Sequence, residues 1–349
     1  MKALTVEPMR NGSVRVEDVE PPVPGENDLL VDGIALGVCG TDREIAGGEY
    51  GAAPPGRDRL ILGHESLGRV RQAPPGSGFS PGDLVVGIVR RPDPLPCGPC
   101  GHGEFDMCRN GEFTERGIKE LDGFGSQQWT VEADYAVALA PALERVGVLM
   151  EPATVVAKAW EQIERIGGRA WFDPETVLVT GAGPIGLLAA LLGVQRGLDV
   201  HVLDRAEEGV KPELVAALGA TYHTGSVADL AARVPLDVIV ETTGATPVIL
   251  DAMEHNAADG IVCFVGLGSA GGPVQIDSDL MGRRLVLEND VLFGSVNANR
   301  RHYEQAAGAL EKADHAWLER LITRRVPLAE AAEVFAAPPG DQVKVVVDL

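Results

Sequence analysis

The segment Val177–Gly186 reads VLVTGAGPIG, and the apolar run Leu187–Val194 follows it directly. An apolar, β-branched stretch, a glycine-rich turn and an apolar helix predict a strand, a tight turn and a helix in the order that dinucleotide-binding folds use. Gly181 permits the sharp turn, Gly183 lets the backbone approach a pyrophosphate, and Gly186 permits close packing of helix on strand. A glycine turn that holds no ligand is the structural alternative.

The first turn of the predicted helix, where Pro184 and Ile185 lie, would present the positive end of the helix dipole to phosphates. Asp204 lies 18 residues after Gly186, at the end of the next apolar run. Its carboxylate would accept hydrogen bonds from the adenosine ribose and repel a 2′-phosphate, whereas the neighbouring Arg205 would attract one. We therefore expect NAD to be favoured and leave NADP open as a second cofactor.

Length, composition and charge restrict the class of protein. The chain has 349 residues, 45% hydrophobic residues and a formal net charge of −21, so there is room for two domains, each with its own core. The acidic balance predicts no nucleic-acid partner and no anionic membrane surface as a partner, and it fits either a high-salt host or ordinary solubility. No stretch approaches the ~18 apolar residues of a membrane span and no signal peptide is evident, which predicts a cytoplasmic protein.

The pattern of short segments predicts an α/β protein with two different architectures. Short β-type runs with Gly and Pro between them, including residues 28–38, indicate a β-barrel-type domain at the start of the chain. A long helical stretch at residues 146–166 follows, and from residue 176 strands and helices alternate, which indicates a doubly wound parallel sheet. A closing strand at residues 344–347 is expected to rejoin the first domain.

Three scattered residues offer ligands for a catalytic metal. Cys39, His64 and Glu151 provide a thiolate, an imidazole and a carboxylate, the groups that bind Zn²⁺ in catalytic sites with one position left open. Glu65, next to His64, is either a further ligand or a partner of a ligand. Taken singly, these residues also fit a buried small side chain, a core histidine and a charge at a helix start.

A second cysteine group indicates a structural zinc site. Cys97 and Cys100 form a CxxC pair and Cys108 follows, and three cysteines this close in a chain expected to be cytosolic favour a metal over disulfides. Asp93 or His102 would supply the fourth ligand. The alternatives are a metal-free loop with oxidation-prone thiols and a redox CxxC, which is less favoured because no thioredoxin-like pattern surrounds it.

These motifs together identify a family resemblance. The motifs are GVCGTD at 37–42, GHE at 63–65, the cysteine lobe at 97–108, MEP at 150–152 and GAGPIG at 181–186. With them the chain resembles zinc-containing medium-chain alcohol dehydrogenases/reductases, and most closely the archaeal-type glucose (aldose) 1-dehydrogenases. The residues behind this narrower resemblance are Cys39–Glu44, Arg90–Pro92, Gly111–Ile118 and Gly294–Asn297.

The resemblance implies an N-terminal GroES-like β-barrel-type catalytic domain, made of residues 1–153 and 297–349, and a Rossmann coenzyme domain at 154–296. It implies zinc ligation by Cys39, His64 and Glu65, with Glu151 contacting zinc or sugar. Thr41, Glu115 and Asn297 would line the sugar site, and Thr41 would also pass on the substrate proton. Further cofactor contacts are expected at Thr243, Gly266, Ser295 and Asn297. The lobe departs from the family pattern of four cysteines, because Asp93 stands in place of the first.

The expected activity is oxidation of an aldose such as D-glucose at C1 to the lactone, by hydride transfer to nicotinamide. Another zinc-dependent dehydrogenase, acting on a polyol, a cyclitol or a secondary alcohol, is the nearest alternative. A zinc-free quinone or enoyl reductase and a non-catalytic nucleotide-binding protein are less favoured. We expect a homodimer or homotetramer, paired through a strand-like run at Arg284–Phe293, and we expect Arg90 and Arg91 to be solvated or at a domain interface.

Overall fold

The chain forms two units in the computed structural model, which describes residues 1–268, 272–336 and 340–349. One unit combines Met1–Glu151 with Ala298–Leu349, and the other is the continuous segment Pro152–Asn297.

The elements alternate between strands and helices after a mainly β-stranded start. The strands are β1 (Lys2–Val6), β2 (Arg15–Asp18), β3 (Asp28–Val38), β4 (Leu60–Ile61), β5 (Glu65–Gln72), β6 (Leu84–Gly87), β7 (Arg90–Arg91), β8 (Thr114–Arg116), β9 (Glu120–Leu121), β10 (Gln128–Glu132), β11 (Ala136–Leu139), β12 (Thr176–Thr180), β13 (Asp199–Leu203), β14 (Thr221–His223), β15 (Val238–Glu241), β16 (Ile261–Phe264), β17 (Val291–Gly294), β18 (Ile322–Pro327) and β19 (Lys344–Asp348). The helices are α1 (Gly40–Gly47), α2 (Gly98–Gly101), α3 (Met150–Gly167), α4 (Pro184–Gln195), α5 (Val210–Ala217), α6 (Val227–Ala231), α7 (Thr246–Glu254), α8 (Leu285–Leu287), α9 (Arg300–Lys312), α10 (His315–Leu321) and α11 (Glu333–Ala336).

The larger sheet of the first unit is organised around β3. Its strand order is β11-β6-β5-β3-β19-β18, and β10 also pairs with β3. Two smaller sheets, β2-β1-β4 and β7-β8-β9, complete this unit. Apolar side chains of β3, including Leu29 and Val31, are fully buried in the core, which fixes the register because a shift of one residue would turn them to the other face.

β19 joins this sheet from the far end of the chain, as the sequence predicted. It pairs antiparallel with β3, with Val345 opposite Val38 and Val346 opposite Gly37. Because Glu65 also lies opposite Gly37, on β5, the three strands bring residues from three distant parts of the sequence to one place.

The second unit is a six-stranded parallel sheet in the order β14-β13-β12-β15-β16-β17. Its inner strands β12, β15 and β16 are nearly continuously apolar, and Val177, Leu178 and Val179 of β12 have no exposed surface, as expected for a parallel sheet covered on both faces. Numbered within the unit, the order is 3-2-1-4-5-6, the doubly wound arrangement in which ligands bind beyond the carboxyl ends of the strands where the order reverses. That reversal lies between β12 and β15.

The predicted strand at Arg284–Phe293 is largely wrong. A π-helical turn at Leu280–Arg284 and the short helix α8 precede the strand β17, which begins only at Val291. β17 is nevertheless the edge of the parallel sheet. Within the described ranges, we find no helix whose length and apolarity would let it cross a membrane.

Candidate active site

Cys39 lies at the junction of β3 and α1, and Asp42 fixes its backbone. Cys39 is the residue that precedes α1, and the Asp42 carboxylate accepts a hydrogen bond from its backbone N–H (2.9 Å). This contact closes the first turn of the helix, where a side-chain acceptor satisfies an otherwise unpaired N–H. The Cys39 thiol is thereby held at the end of a buried strand.

His64 meets Cys39 from the loop before β5. Its Nε2 lies 3.1 Å from the Cys39 Sγ, and its Nδ1 lies 3.2 Å from the Asp42 carboxylate. Burial by itself lowers the pKa of His64, but the Cys39 thiolate and the Asp42 carboxylate outweigh it and hold the pKa well above its usual value. A carboxylate on the far nitrogen is the arrangement that orients metal-binding histidines, so Asp42 is a positioning residue that the sequence interpretation missed.

Glu65 and Lys344 form a buried ion pair beside these two residues. Each side chain is about 1% exposed, and the ammonium also donates to the carbonyl of Val38 (3.1 Å). Gly37 makes room for the pair, because a Cβ there would lie 1.9 Å from a Glu65 carboxylate oxygen. Burial lowers the pKa of Lys344, but the Glu65 and Cys39 charges raise it above its usual value overall.

The ligand atoms of Cys39, His64 and Glu65 lie within 4.8 Å of one another. One sulfur, one imidazole nitrogen and one carboxylate oxygen in this space are a donor set that Zn²⁺ accepts. The residues present therefore fit a zinc ion, with Asp42 and Lys344 as the charged groups behind the ligands.

Glu151 lies at the start of α3, outside that three-residue group. Burial is the main reason that its pKa is raised to about 7, and the negative charge of Glu65 adds to the effect. Its contact with zinc or sugar stays a prediction, as does the role of Thr41, which is partly buried in the first turn of α1.

Glu115 forms a buried ion pair with Arg90. The guanidinium Nε and a terminal nitrogen lie 3.1 and 3.0 Å from one carboxylate oxygen, and the guanidinium stacks on the ring of Phe113. Arg90 and Arg91 are only 7% and 8% exposed, so the expectation that solvent surrounds them is wrong. Arg90 instead orients the carboxylate that the resemblance assigns to sugar binding.

The cysteine lobe brings three thiols together. The sulfur atoms of Cys97, Cys100 and Cys108 lie within 4.8 Å of one another. Asp93 is outside this group: its carboxylate accepts from the backbone N–H of Leu95 (2.8 Å) and from the side-chain amide of Asn110 (2.7 Å). Its role as the fourth ligand stays a prediction.

The glycine turn after β12 has the shape that a bound pyrophosphate requires. Gly181 has a φ of 92°, in the left-handed region that favours glycine. A Cβ at Gly186 would lie 1.8 Å from the carbonyl oxygen of Gly181, whereas a Cβ at Gly183 would meet no atom within 4 Å. The helix α4 begins directly afterwards at Pro184. A pyrophosphate must come close to the backbone at Gly183, and the space there is open. The turn therefore fits a dinucleotide.

Asp204 follows β13 and is held from three sides. Its carboxylate accepts from the backbone N–H groups of Ala182 (2.7 Å) and Ala206 (3.1 Å), and the ammonium of Lys211 lies 3.2–3.3 Å from both oxygens. Burial raises the pKa of Asp204, but these donors and the Lys211 charge lower it overall. Arg205 is exposed. Lys211 is a second cation beside Asp204 that the sequence interpretation did not consider.

The turn after β15 is shaped by a buried carboxylate. Glu241 has no exposed surface. Its carboxylate accepts hydrogen bonds from the backbone N–H groups of Thr243 (2.7 Å) and Gly244 (3.1 Å) and from the hydroxyls of Thr180 and Thr243. Gly266 packs against the same turn, since a Cβ there would lie 2.3 Å from the nitrogen of Gly244. Glu241 is a further positioning residue, and its only sequence signal was a charged residue at the end of an apolar strand.

Ser295 and Asn297 follow the last strand of the parallel sheet. The Ser295 hydroxyl is buried and, among the described residues, has no hydrogen-bond partner. Asn297 has a φ of 61°, a backbone conformation that asparagine tolerates better than most residues. Their contacts with cofactor or sugar stay predictions.

Comparison with known proteins agrees with both units. The alcohol dehydrogenase GroES-like domain model matches residues 25–141, and the glucose dehydrogenase C-terminus model matches residues 144–349. The glucose 1-dehydrogenases of Methanocella arvoryzae and Thermoproteus tenax are 38% and 36% identical to this chain, and each alignment covers 100% of this chain and 99% of the relative.

A solved structure matches over the same extent. The structure of Haloferax mediterranei glucose dehydrogenase in complex with NADP, Zn and gluconolactone superposes with a TM-score of 0.91 at 29% identity, covering 100% of this chain and 99% of that one. The architecture, the metal-ligand cluster and these matches agree, and the chain therefore belongs to the glucose dehydrogenase family of zinc-containing medium-chain alcohol dehydrogenases.

Proposed function

We propose that this protein is a zinc-dependent NAD(P) dehydrogenase that oxidises an aldose such as D-glucose at C1 to the lactone. The observation that carries the proposal is the cluster of Cys39, His64 and Glu65, which offers three kinds of zinc ligand within 4.8 Å. The other unit of the same chain has a phosphate-binding turn at Gly181–Gly186. The Haloferax mediterranei complex with NADP, Zn and gluconolactone supports the cofactor and the class of product.

Five residues would bind the zinc ion or support its ligands. Zinc on Cys39, His64 and Glu65 would supply a Lewis acid that makes the substrate hydroxyl more acidic, and the nicotinamide would accept the hydride. Asp42 keeps the His64 ring turned so that Nε2 stays beside the Cys39 sulfur. Lys344 balances the Glu65 charge, and both side chains are buried.

Substrate recognition rests on polar groups that match sugar hydroxyls. Thr41 Oγ1 accepts the proton that leaves the C1 hydroxyl and passes it outward. Glu115, Glu151 and Asn297 bind the remaining hydroxyls, and Arg90 presents the Glu115 carboxylate in one orientation. A site built to bond several hydroxyls rejects substrates that lack them, which is why a sugar is favoured over a simple alcohol.

Cofactor choice depends on the groups around Asp204. We expect NAD to be favoured, because the carboxylate accepts from ribose hydroxyls and repels a 2′-phosphate. Lys211 lies 3.2–3.3 Å from that carboxylate and reduces its repulsion, so NADP is expected as a weaker second cofactor. A higher kcat/KM with NADP than with NAD would overturn this assignment.

The proposed assembly is a homodimer or homotetramer in the cytoplasm. Among the described strands, β17 pairs only with β16, and such an open edge is a template for pairing with a second copy. Val286 and Leu287, just before it, are 69% and 67% exposed. A reducing compartment suits a chain whose five cysteines are all free thiols.

A substrate and metal assay tests the function. Aldoses, polyols, cyclitols and secondary alcohols would be compared with each cofactor on protein of measured zinc content. We expect the highest kcat/KM with an aldose. Cys39→Ala and His64→Ala should lose turnover and the zinc of this site but retain cofactor binding, whereas Cys263→Ala, at a buried strand position, should retain all three. A secondary alcohol as the best substrate, or full turnover after zinc removal, would contradict the proposal.

A further inference from the structure

The cysteine lobe offers three thiols on a short stretch of chain. α2 carries Cys100 at its centre and follows Cys97, and a 3₁₀ turn at Phe105–Met107 leads into Cys108. The sulfur atoms of Cys97 and Cys108 lie 4.0 Å apart, and the backbone N–H of Arg109 donates to the Cys97 sulfur (3.3 Å). This geometry suits three ligands of one zinc ion.

The two candidates for a fourth ligand, Asp93 and His102, lie outside the group of three sulfur atoms. The Asp93 side chain is 4% exposed, and its two oxygens accept hydrogen bonds from Leu95 and Asn110. The Nδ1 of His102 lies 2.7 Å from the carbonyl oxygen of Gly98. Structural zinc sites are almost always closed by four protein ligands. Within the described residues, the lobe differs from that pattern, because its ligand group holds three thiols and no fourth His, Cys, Asp or Glu.

Exposure distinguishes the three thiols. Cys100 is buried, whereas Cys97 and Cys108 are partly exposed. The two partly exposed cysteines are thus the pair whose sulfur atoms lie 4.0 Å apart. A disulfide requires a separation of about 2 Å, which rotation of the two side chains must supply.

We propose that the lobe is a peroxide-responsive site in which Cys97 and Cys108 form a disulfide as the zinc leaves. One thiolate attacks hydrogen peroxide, the O–O bond breaks, and a sulfenic acid and hydroxide form. The second thiolate attacks that sulfur, the S–S bond forms, and the sulfenic oxygen leaves as hydroxide. Overall, two thiols lose two electrons and two protons, peroxide is reduced to two molecules of water, and a dithiol reductant reverses the change.

Peroxide titration of the zinc-loaded, full-length protein tests this proposal independently of dehydrogenase activity. Released zinc would be measured with a chromophoric chelator, intact mass by mass spectrometry, and the cross-link by non-reducing peptide mapping. We expect one zinc released per chain, a mass loss of two hydrogen atoms, and a linked pair of peptides that contain Cys97 and Cys108. Cys39 and Cys263 should remain thiols at that point.

Variants separate this proposal from its alternatives. Cys108→Ser should abolish the cross-link, whereas Cys263→Ser should leave both zinc release and cross-link unchanged. Asp93→Asn should retain the lobe zinc if Asp93 only braces the loop. Loss of lobe zinc in Asp93→Asn to the extent seen in Cys97→Ser would overturn the three-thiolate site. A disulfide through Cys100, or oxidation of Cys39 before any lobe cross-link, would overturn the thiol pair.

Discussion

Replacing Lys344 by Met should destabilise the metal-free protein strongly and should also increase the affinity of the protein for zinc. The Lys344 ammonium and the Glu65 carboxylate are each about 1% exposed and contact each other directly. Removing the ammonium leaves a buried carboxylate without its counter-charge, and breaking a buried pair in this way typically costs about 3–5 kcal/mol. Met fills a similar volume, so the lost packing is small.

Bound zinc reduces the loss of stability that Lys344→Met causes. A divalent ion beside Glu65 supplies positive charge that the variant lacks, so the zinc-loaded variant should lose less stability than the chelated one. By linkage, whatever free energy zinc restores appears as tighter zinc binding. A restored 1.4 kcal/mol, for example, corresponds to about a tenfold lower Kd for zinc.

The assay is urea unfolding with chelator and with zinc, together with zinc competition against a chromophoric chelator. Lys2→Met is the matched control, because Lys2 pairs with Asp18 at the surface, with the two side chains 51% and 76% exposed, and such pairs contribute about 0–1 kcal/mol. The double variant Lys344→Met/Glu65→Gln should recover stability in chelator. A Lys344→Met protein as stable as the Lys2→Met control in chelator, or one that binds zinc more weakly, would refute the reasoning.

Three further changes have separate readouts. Gly37→Ala should lower zinc content and turnover, because its Cβ would lie 1.9 Å from an oxygen of the ligand Glu65 and displace that carboxylate. Metal analysis measures the zinc content. Gly183→Ala should fold with near-normal stability, since its Cβ meets no protein atom within 4 Å. Its affinity for the cofactor, measured by fluorescence titration, should fall about tenfold, which corresponds to about 1.4 kcal/mol. Burial raises the pKa of Glu132, yet hydrogen bonds and charge from Arg91 outweigh it and lower the pKa to about 2. The stabilisation is therefore present above the unfolded pKa of about 4.5 and lost as pH falls through 2. Glu132→Gln should cost about 1 kcal/mol at pH 7, discounted because the side chain is 40% exposed, and the gap to wild type should close between pH 4.5 and 2 in thermal unfolding.

The variants Gly37→Ala, Gly183→Ala and Glu132→Gln each have a result that would contradict the expectation. Gly308→Ala, on a helix with no atom near its Cβ, controls for a general effect of added methyl groups. Unchanged zinc content in Gly37→Ala, or unchanged cofactor affinity in Gly183→Ala, would show that the neighbouring site tolerates the methyl group. A stability gap for Glu132→Gln that persists at pH 2 would assign the loss to packing rather than to charge.

The local elements of the second unit were predictable from the sequence because each signal is short in range. The VLVTGAGPIG segment predicted a strand, a turn and a helix, and β12 and α4 are found there. The strand predicted at Arg284–Phe293 is wrong because a short apolar segment fits a helix or a strand equally well. The chain forms helical turns there before β17 begins. Periodicity alone could not decide between them.

The grouping of Cys39, His64 and Glu65 was predicted from motifs, whereas their supporting charges were not. Lys344 reaches Glu65 only because β19 pairs with β3, and a pairing between distant strands leaves no local trace in the sequence. Arg90 and Glu115 meet for the same reason, through the pairing of β7 with β8. Buried ion pairs of this kind require the tertiary structure before they can be assigned.

The position of β19 has a consequence for how the protein is made. The second unit is one uninterrupted segment, whereas the first needs β19, which is synthesised after that whole segment, to pair with residues 35–38 of β3. Domains generally fold as units during synthesis, so the nucleotide-binding unit can fold before residues 35–38 of β3 have their β19 partner. The lysine that neutralises Glu65 lies on β19, so the charged surroundings of the metal ligands are complete only after the second unit has been synthesised.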